Sequence, residues 1–99
     1  MDNNTTNNVK PLAPQTQEDA VWLAALQVSS YVNFSEIARK YFGRTAQWLT
    51  QRLHGNIVNG KPAKLKPNEA QTFATALRDI AVKLNEAAAL IETTPTAQD

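Results

Sequence analysis

Apolar residues are concentrated in the middle of this chain, and this limits the size of the core that it can form. Residues 1–16 contain three large aliphatic side chains and residues 93–99 contain none, so neither end buries enough apolar surface to offset its ordering entropy. We therefore predict disordered tails at 1–16 and 93–99 and one folded domain at 17–92. About 75 residues are enough for three to five helices but too few for a Rossmann domain or a TIM barrel.

The composition excludes several functional classes. The chain has no cysteine, which rules out disulfides, thiolate catalysis and cysteine-based zinc sites. Its single histidine rules out a multi-histidine metal site. No apolar run has the roughly 18 residues of a membrane span, and no secretory signal pattern is present. With no phosphate-binding glycine loop and no Ser/His/Asp arrangement, we expect a cytoplasmic protein that is not an enzyme. We also expect no cofactor, metal ion or small-molecule substrate.

The positive charges are segregated along the chain. The formal net charge is only +1, but residues 37–68 contain no acid and carry +7, against −6 for the remainder. The seven cations of this basic block are Arg39, Lys40, Arg44, Arg52, Lys61, Lys64 and Lys66. Such segregation is typical of proteins that bind a polyanion. The alternative is a solvated basic face without a partner.

Capping residues and apolar spacing predict three short helices in the first half of the domain. Thr16 is a candidate N-cap for a helix over 18–32, whose many apolar residues suggest packing on two sides. Asn33 and Glu36 form a capping-box pattern that opens a second helix, and Gly43 ends it. A third helix over 46–54 follows the N-cap candidate Thr45.

The second half of the domain is predicted to contain a loop and one long helix. Residues 55–66 read as a basic loop with short extended pieces around the Asn59-Gly60 turn signal. Pro67 then starts a helix over 67–92, in which apolar residues recur at near-heptad spacing. The sequence thus predicts an all-α domain of about four helices with a long C-terminal helix.

The segment FSEIARKYFGRTAQWLTQRLHG, residues 34–55, resembles the helix-turn-helix of Cro/repressor-type DNA-binding proteins. The residues that carry the resemblance are Ile37, Ala38, Gly43, Thr45, Leu49, Leu53 and Gly55. Two features depart from the common pattern: Gly43 follows Ala38 by one position more than usual, and Arg44 stands where an apolar residue is common. The first helix is therefore expected to be a residue longer, or the turn to be distorted. The whole chain, and GNIVNGKPAKL in particular, also resembles a family of short bacterial proteins defined by a domain of unknown function.

The helix-turn-helix resemblance implies sequence-specific binding of double-stranded DNA, in transcriptional regulation or on a mobile element. The third helix would enter the major groove. Its candidate base contacts are Ala46, Gln47, Thr50, Gln51 and His54. The candidate phosphate contacts are Arg39, Lys40, Arg44, Thr45, Arg52, Lys61, Lys64 and Lys66. Two alternatives remain open: a protein-interaction module that uses the scaffold and the long helix, and a non-specific nucleic-acid-coating protein.

The last helix is longer than a core of this size can cover. Its apolar residues continue through Leu84, Ala87, Ala88 and Ile91, and an exposed apolar stripe marks an interaction surface. We therefore expect a homodimer, which would present two recognition helices to palindromic half-sites. The alternative is a helix that frays after about Asn85.

Overall fold

The computed structural model describes residues 16–96, which form four helices and one short β-hairpin. The elements in chain order are α1 (Gln17–Val28), α2 (Phe34–Ile37, continued by a π-helical turn Ala38–Phe42), α3 (Ala46–His54), β1 (Ile57–Val58), β2 (Lys61–Pro62) and α4 (Pro67–Thr93). The all-α expectation is confirmed. Of the predicted tails, residues 1–15 and 97–99 lie outside the described residues; Thr16 caps α1, and α4 extends to Thr93.

Helix α1 begins where its cap predicts and ends four residues before its predicted end. The Thr16 Oγ1 accepts a hydrogen bond from the Asp19 backbone N–H at 3.0 Å, and the helix ends at Val28 instead of residue 32. Residues 20–24 are half-buried and Ala25 is buried, while Leu26 is 50% exposed. Six consecutive residues face all sides of a helix, so the partial burial of α1 is not limited to one face.

Helix α2 accommodates the additional residue between Ala38 and Gly43 in a π-helical turn. A π-helical turn closes its hydrogen bonds over one more residue than an α-helical turn. Gly43 then ends the helix with φ 63°, and the Arg44 N–H donates to the Ala38 carbonyl at 3.0 Å. A left-handed residue at this position favours glycine. Because the inserted residue is absorbed before the turn, α3 starts at the predicted place.

The core lies between the N-terminal half of α4 and the three shorter helices. From α4 it takes Ala70, Phe73 and Ala76, and the Phe73 ring lies 6.3 Å from that of Phe34 in α2. The other buried core residues are Ala25, Ile37, Ala38, Leu49, Leu53 and Leu65. Every side chain of this core is apolar, so the hydrophobic effect is the main force that fixes the orientation of α3.

A two-residue turn joins the strands that follow α3. Ile57 pairs with Pro62, and Val58 pairs with Lys61. Asn59 and Gly60 both have positive φ, 55° and 79°, as the favoured two-residue hairpin turns require. The expected loop with two short extended pieces is thus a β-hairpin that leaves Lys61 exposed at its second strand.

The second half of α4 extends past the core. Every residue from Ala81 to Thr93 is exposed, yet the helix continues to Thr93 instead of ending near Asn85. At 1.5 Å per residue, the 27 residues of α4 span about 40 Å. Among the described residues, no helix combines the length and the apolar character that crossing a membrane requires.

Candidate nucleic-acid interface

Two buried leucines determine which face of α3 meets solvent. Leu49 and Leu53 are 0% and 2% exposed, and the 3.6-residue period of a helix puts Gln47, Gln51 and His54 on the opposite side. The Thr45 Oγ1 accepts a hydrogen bond from the Trp48 N–H at 3.1 Å, which caps the start of the helix. Gly55, with φ 68°, ends it.

The five predicted base-contact residues do not have equal access to solvent. Gln47 and His54 are exposed, and Gln51 is half-buried beside them. Ala46 and Thr50 are also half-buried, and the Thr50 hydroxyl donates to the Ala46 carbonyl at 2.6 Å. The solvent-facing row is therefore Gln47, Gln51 and His54. Thr50 can offer its methyl group at the edge of this row, since its hydroxyl is bonded within the helix.

Trp48 holds two of the predicted phosphate-contact arginines beside this row. The guanidinium carbons of Arg44 and Arg52 lie 5.3 Å and 4.5 Å from the centre of a Trp48 ring, within the range of cation–π attraction. Arg52 also donates from Nη1 to the Trp48 carbonyl at 3.1 Å. On the apolar side, the Phe42 ring lies 5.2 Å from Trp48. These contacts favour positions of both guanidinium groups next to α3.

Trp48 is half-buried: it packs against the core and lies between Phe42 and the two guanidinium groups. Within α3, Trp48 and Arg52 are four residues apart and therefore lie on the same side of the helix. Arg44 precedes the Thr45 cap, so helical spacing does not predict its contact with the Trp48 ring.

Two of the predicted phosphate contacts are paired with carboxylates. Arg39 forms an ion pair with Glu36 one turn earlier in α2. Lys64 lies 2.7 Å from Glu18 at the start of α1. Both pairs are exposed and can open at small cost, but neither cation is free in the protein by itself.

The structure also separates Lys40 from the arginines of α3. Lys40 lines a groove with Asp79, Lys83 and Glu86 of α4, so its charge lies among those of the long helix. Next to it, the Tyr41 hydroxyl donates to the Asp79 Oδ2 at 2.9 Å. This hydrogen bond is the main reason that the pKa of Tyr41 is raised, with smaller contributions from burial and from the charge of Asp79.

The side chains of the remaining cations of the basic block form no ion pair within residues 16–96. These cations are Arg44, Arg52, Lys61 and Lys66. The Glu69 carboxylate lies close to Lys66, since it accepts a hydrogen bond from the Lys66 backbone N–H at 2.8 Å. A groove brings Arg52 and His54, at the end of α3, next to Pro62 and Lys64, so the hairpin adjoins the same end of the helix. The described residues contain no group of three histidine or carboxylate side chains placed to hold a metal ion.

Comparison with known proteins identifies a family but no activity. The family model for a domain of unknown function, DUF5053, matches residues 21–91, which include all four helices apart from their outermost residues. No curated protein and no solved structure matches the chain. The match covers most of the chain, and the protein therefore belongs to the DUF5053 family.

Proposed function

We propose that this protein binds double-stranded DNA in a sequence-specific manner through α3. The observation that carries the proposal is the solvent-facing row Gln47, Gln51 and His54, flanked by the stacked arginines Arg44 and Arg52. This row lies within a stretch of 32 residues, 37–68, that contains no acid. A polar row of this length, bordered by fixed positive charge, suits the major groove of a duplex.

Each part of the row has a distinct task in this proposal. The amide groups of Gln47 and Gln51 pair with adenine, for which glutamine offers a matching donor and acceptor. The methyl groups of Ala46 and Thr50 contact thymine methyls at the edge. The start of α3, with Arg44 and Thr45 beside it, binds one phosphate, and Arg52 in its last turn binds another; together they set the register of the helix in the groove.

The stacking on Trp48 favours binding because it orders the arginines in advance. A free arginine side chain loses rotamer freedom when it fixes a phosphate, at a cost of about 0.5–1.5 kcal/mol. Arg44 and Arg52 are already restricted by the Trp48 ring, so less of this cost falls on the complex. Lys61 and Lys66 contribute charge but no such ordering.

The resemblance of residues 34–55 to Cro/repressor-type proteins supports the same proposal. The one-residue departure in that resemblance lies in the π-helical turn of α2, upstream of the binding helix, so it leaves the α3 face intact. The biological role that fits such binding is transcriptional regulation or a function on a mobile element.

Selection from a random duplex library, followed by sequencing of the retained DNA, tests the proposal directly. One preferred sequence is expected. With four phosphate contacts from Arg44, Arg52, Lys61 and Lys66, affinity should fall roughly 150-fold between about 50 and 200 mM salt. Absence of duplex binding at the lower salt concentration would refute the proposal, and retention of all sequences alike would refute its specificity.

Variants separate readout from phosphate binding. Gln47→Ala should cost about 1–3 kcal/mol on the preferred site and leave non-specific affinity unchanged. Arg44→Ala should weaken binding to all duplexes and make the salt dependence less steep. Arg78→Ala is the matched control, because it removes an exposed arginine from α4, outside the basic block. Equal effects of Arg44→Ala and Arg78→Ala would mean that only the overall charge matters.

A protein-interaction module is the second candidate function, and the exposed apolar half of α4 is the observation that favours it. Duplex retention and its salt dependence discriminate the two candidates. A protein-interaction module would bind its partner with little dependence on salt and would retain no duplex. The DNA-binding protein would retain a duplex, and its affinity would fall steeply with salt.

A further inference from the structure

One apolar stripe runs along α4, and only its first half is covered by the protomer. Phe73, Leu77 and Ile80 pack on the shorter helices, and the same heptad spacing continues through Leu84, Ala87 and Ile91, which we call the open stripe. Leu84 is 59% exposed and Ile91 77%. The three positions of the open stripe carry no charge.

The open stripe lies on the part of α4 that the protomer leaves uncovered. No residue of 81–93 is buried, and these residues continue a helix whose first half is already packed, so the apolar side chains of the stripe stay in water, as at an interaction surface. We propose that a second copy of this chain covers the open stripe, with the two α4 helices packed antiparallel. This inference does not depend on DNA binding.

The exposed area is sufficient for a stable dimer. Leu84, Leu90 and Ile91 keep 59%, 67% and 77% of their surfaces exposed. Together with the neighbouring alanines and with Tyr31, which is 78% exposed, two copies would bury on the order of 1,200 Å² in total, the lower end of the range for stable interfaces.

The position of the core decides the orientation. The covered and open halves of the stripe share one face of α4, so a parallel partner helix would have to occupy the space that already holds α1–α3. An antiparallel partner avoids this, because its C-terminal end reaches only to the level of Ile80. In this alignment Ile91 lies opposite the partner's Ile80, and Leu84 lies opposite the partner's Ala87.

A groove at the base of the open stripe fits this alignment. It is lined by Tyr31, Val32 and Ile37 on one side and by Ile80 and Lys83 of α4 on the other. The partner's Ile91 would enter it and bury the exposed Tyr31 ring. Ala87 and Ala88 keep the two helix backbones close, since small side chains allow a short distance between axes.

Sedimentation equilibrium of the full chain over a micromolar concentration series tests the dimer. The expected mass approaches twice the 10.9 kDa of one chain, and Leu84→Glu should reduce it to that of one chain. Val82→Glu is the matched control: Val82 is 53% exposed but lies on the opposite side of α4, so this variant should remain dimeric. Both substitutions are at exposed positions, so the shorter helices should remain folded, as far-UV circular dichroism can verify.

Two outcomes would overturn the proposal. One is a single-chain mass at every concentration, which would mean that something other than a second copy covers the stripe. The other is a dimer that Leu84→Glu leaves intact, which would place the interface elsewhere. Neither measurement involves DNA, so the result is independent of the proposed function.

Crosslinking through an introduced cysteine determines the relative orientation of the two α4 helices. The chain has no natural cysteine, so each variant carries only one thiol per chain. In the antiparallel dimer the two copies of residue 87 lie near the two-fold axis, while the two copies of residue 91 are about 16 Å apart along the helices. A short bismaleimide should therefore join Ala87→Cys chains but not Ile91→Cys chains. Efficient crosslinking of both variants would show a parallel pair and overturn the antiparallel arrangement.

Discussion

Replacing Leu53 with alanine tests the orientation of α3, on which the whole candidate interface depends. Leu53 is 2% exposed, so the substitution removes buried carbon atoms and leaves a cavity beneath the helix. For a fully buried leucine the cost is about 3 kcal/mol, within a range of roughly 2–5 kcal/mol. A domain of this size has about 4–12 kcal/mol of stability in total, so the variant should lose a large part of it.

Urea unfolding followed by far-UV circular dichroism measures this loss. Each kcal/mol corresponds to roughly 4–8 °C in the melting temperature of a small domain, so Leu53→Ala should melt at least about 10 °C below the parent protein. Gln47→Ala is the control on the opposite side of α3, and as an exposed substitution it should stay within about 0.5 kcal/mol of the parent. A loss below 1 kcal/mol for Leu53→Ala, or an equal loss for both variants, would mean that α3 buries another face. The row Gln47, Gln51 and His54 would then not face solvent.

Three further predictions concern the connections around α3. Gly43→Ala should cost about 1 kcal/mol in urea unfolding, because φ is 63° there although the space around it is open; no loss would show that the turn is not left-handed. Thr45→Ala removes the cap on the Trp48 N–H and should cost about 1 kcal/mol, whereas Thr45→Ser should restore most of it. The hydrogen bond to Asp79 raises the pKa of Tyr41, which means that the folded state favours the neutral phenol. The contribution of this bond to the free energy of unfolding is therefore complete below the ordinary tyrosine pKa of about 10 and is lost as the pH rises above it. Urea midpoints between about pH 8 and pH 11 should therefore fall less steeply for Tyr41→Phe than for the parent, and identical slopes would contradict the role of Asp79.

Most ends of the helices could be predicted from the sequence because they depend on local interactions; the exception is α1, which ends at Val28 instead of residue 32. The caps Thr16, Asn33 and Thr45 each accept a hydrogen bond from a backbone N–H three residues later, and such bonds require only neighbouring residues. Gly43 and Gly55 likewise end helices through their own backbone conformation. The apolar face of α3 follows from spacing within nine residues.

The pairing of charges could not be predicted in this way. Sequence reasoning assigned all seven cations of the basic block, which contains no acid, to phosphate contacts. The fold brings Glu18 to Lys64 across 46 positions, and it places Lys40 beside α4. Charge segregation along a sequence therefore overstates the free positive surface, because folding brings distant carboxylates into contact with it.

The amino-acid sequence by itself determined the number of helices, the polar row on α3 and the excess length of α4, since all three follow from hydrogen bonds and apolar periodicity over a few turns. Only the tertiary structure decided that a π-helical turn absorbs the extra residue of α2 and that Trp48 contacts Arg44 and Arg52. These features depend on how helices distant in sequence pack around one small core. Their energies come from contacts that exist only once the core has formed.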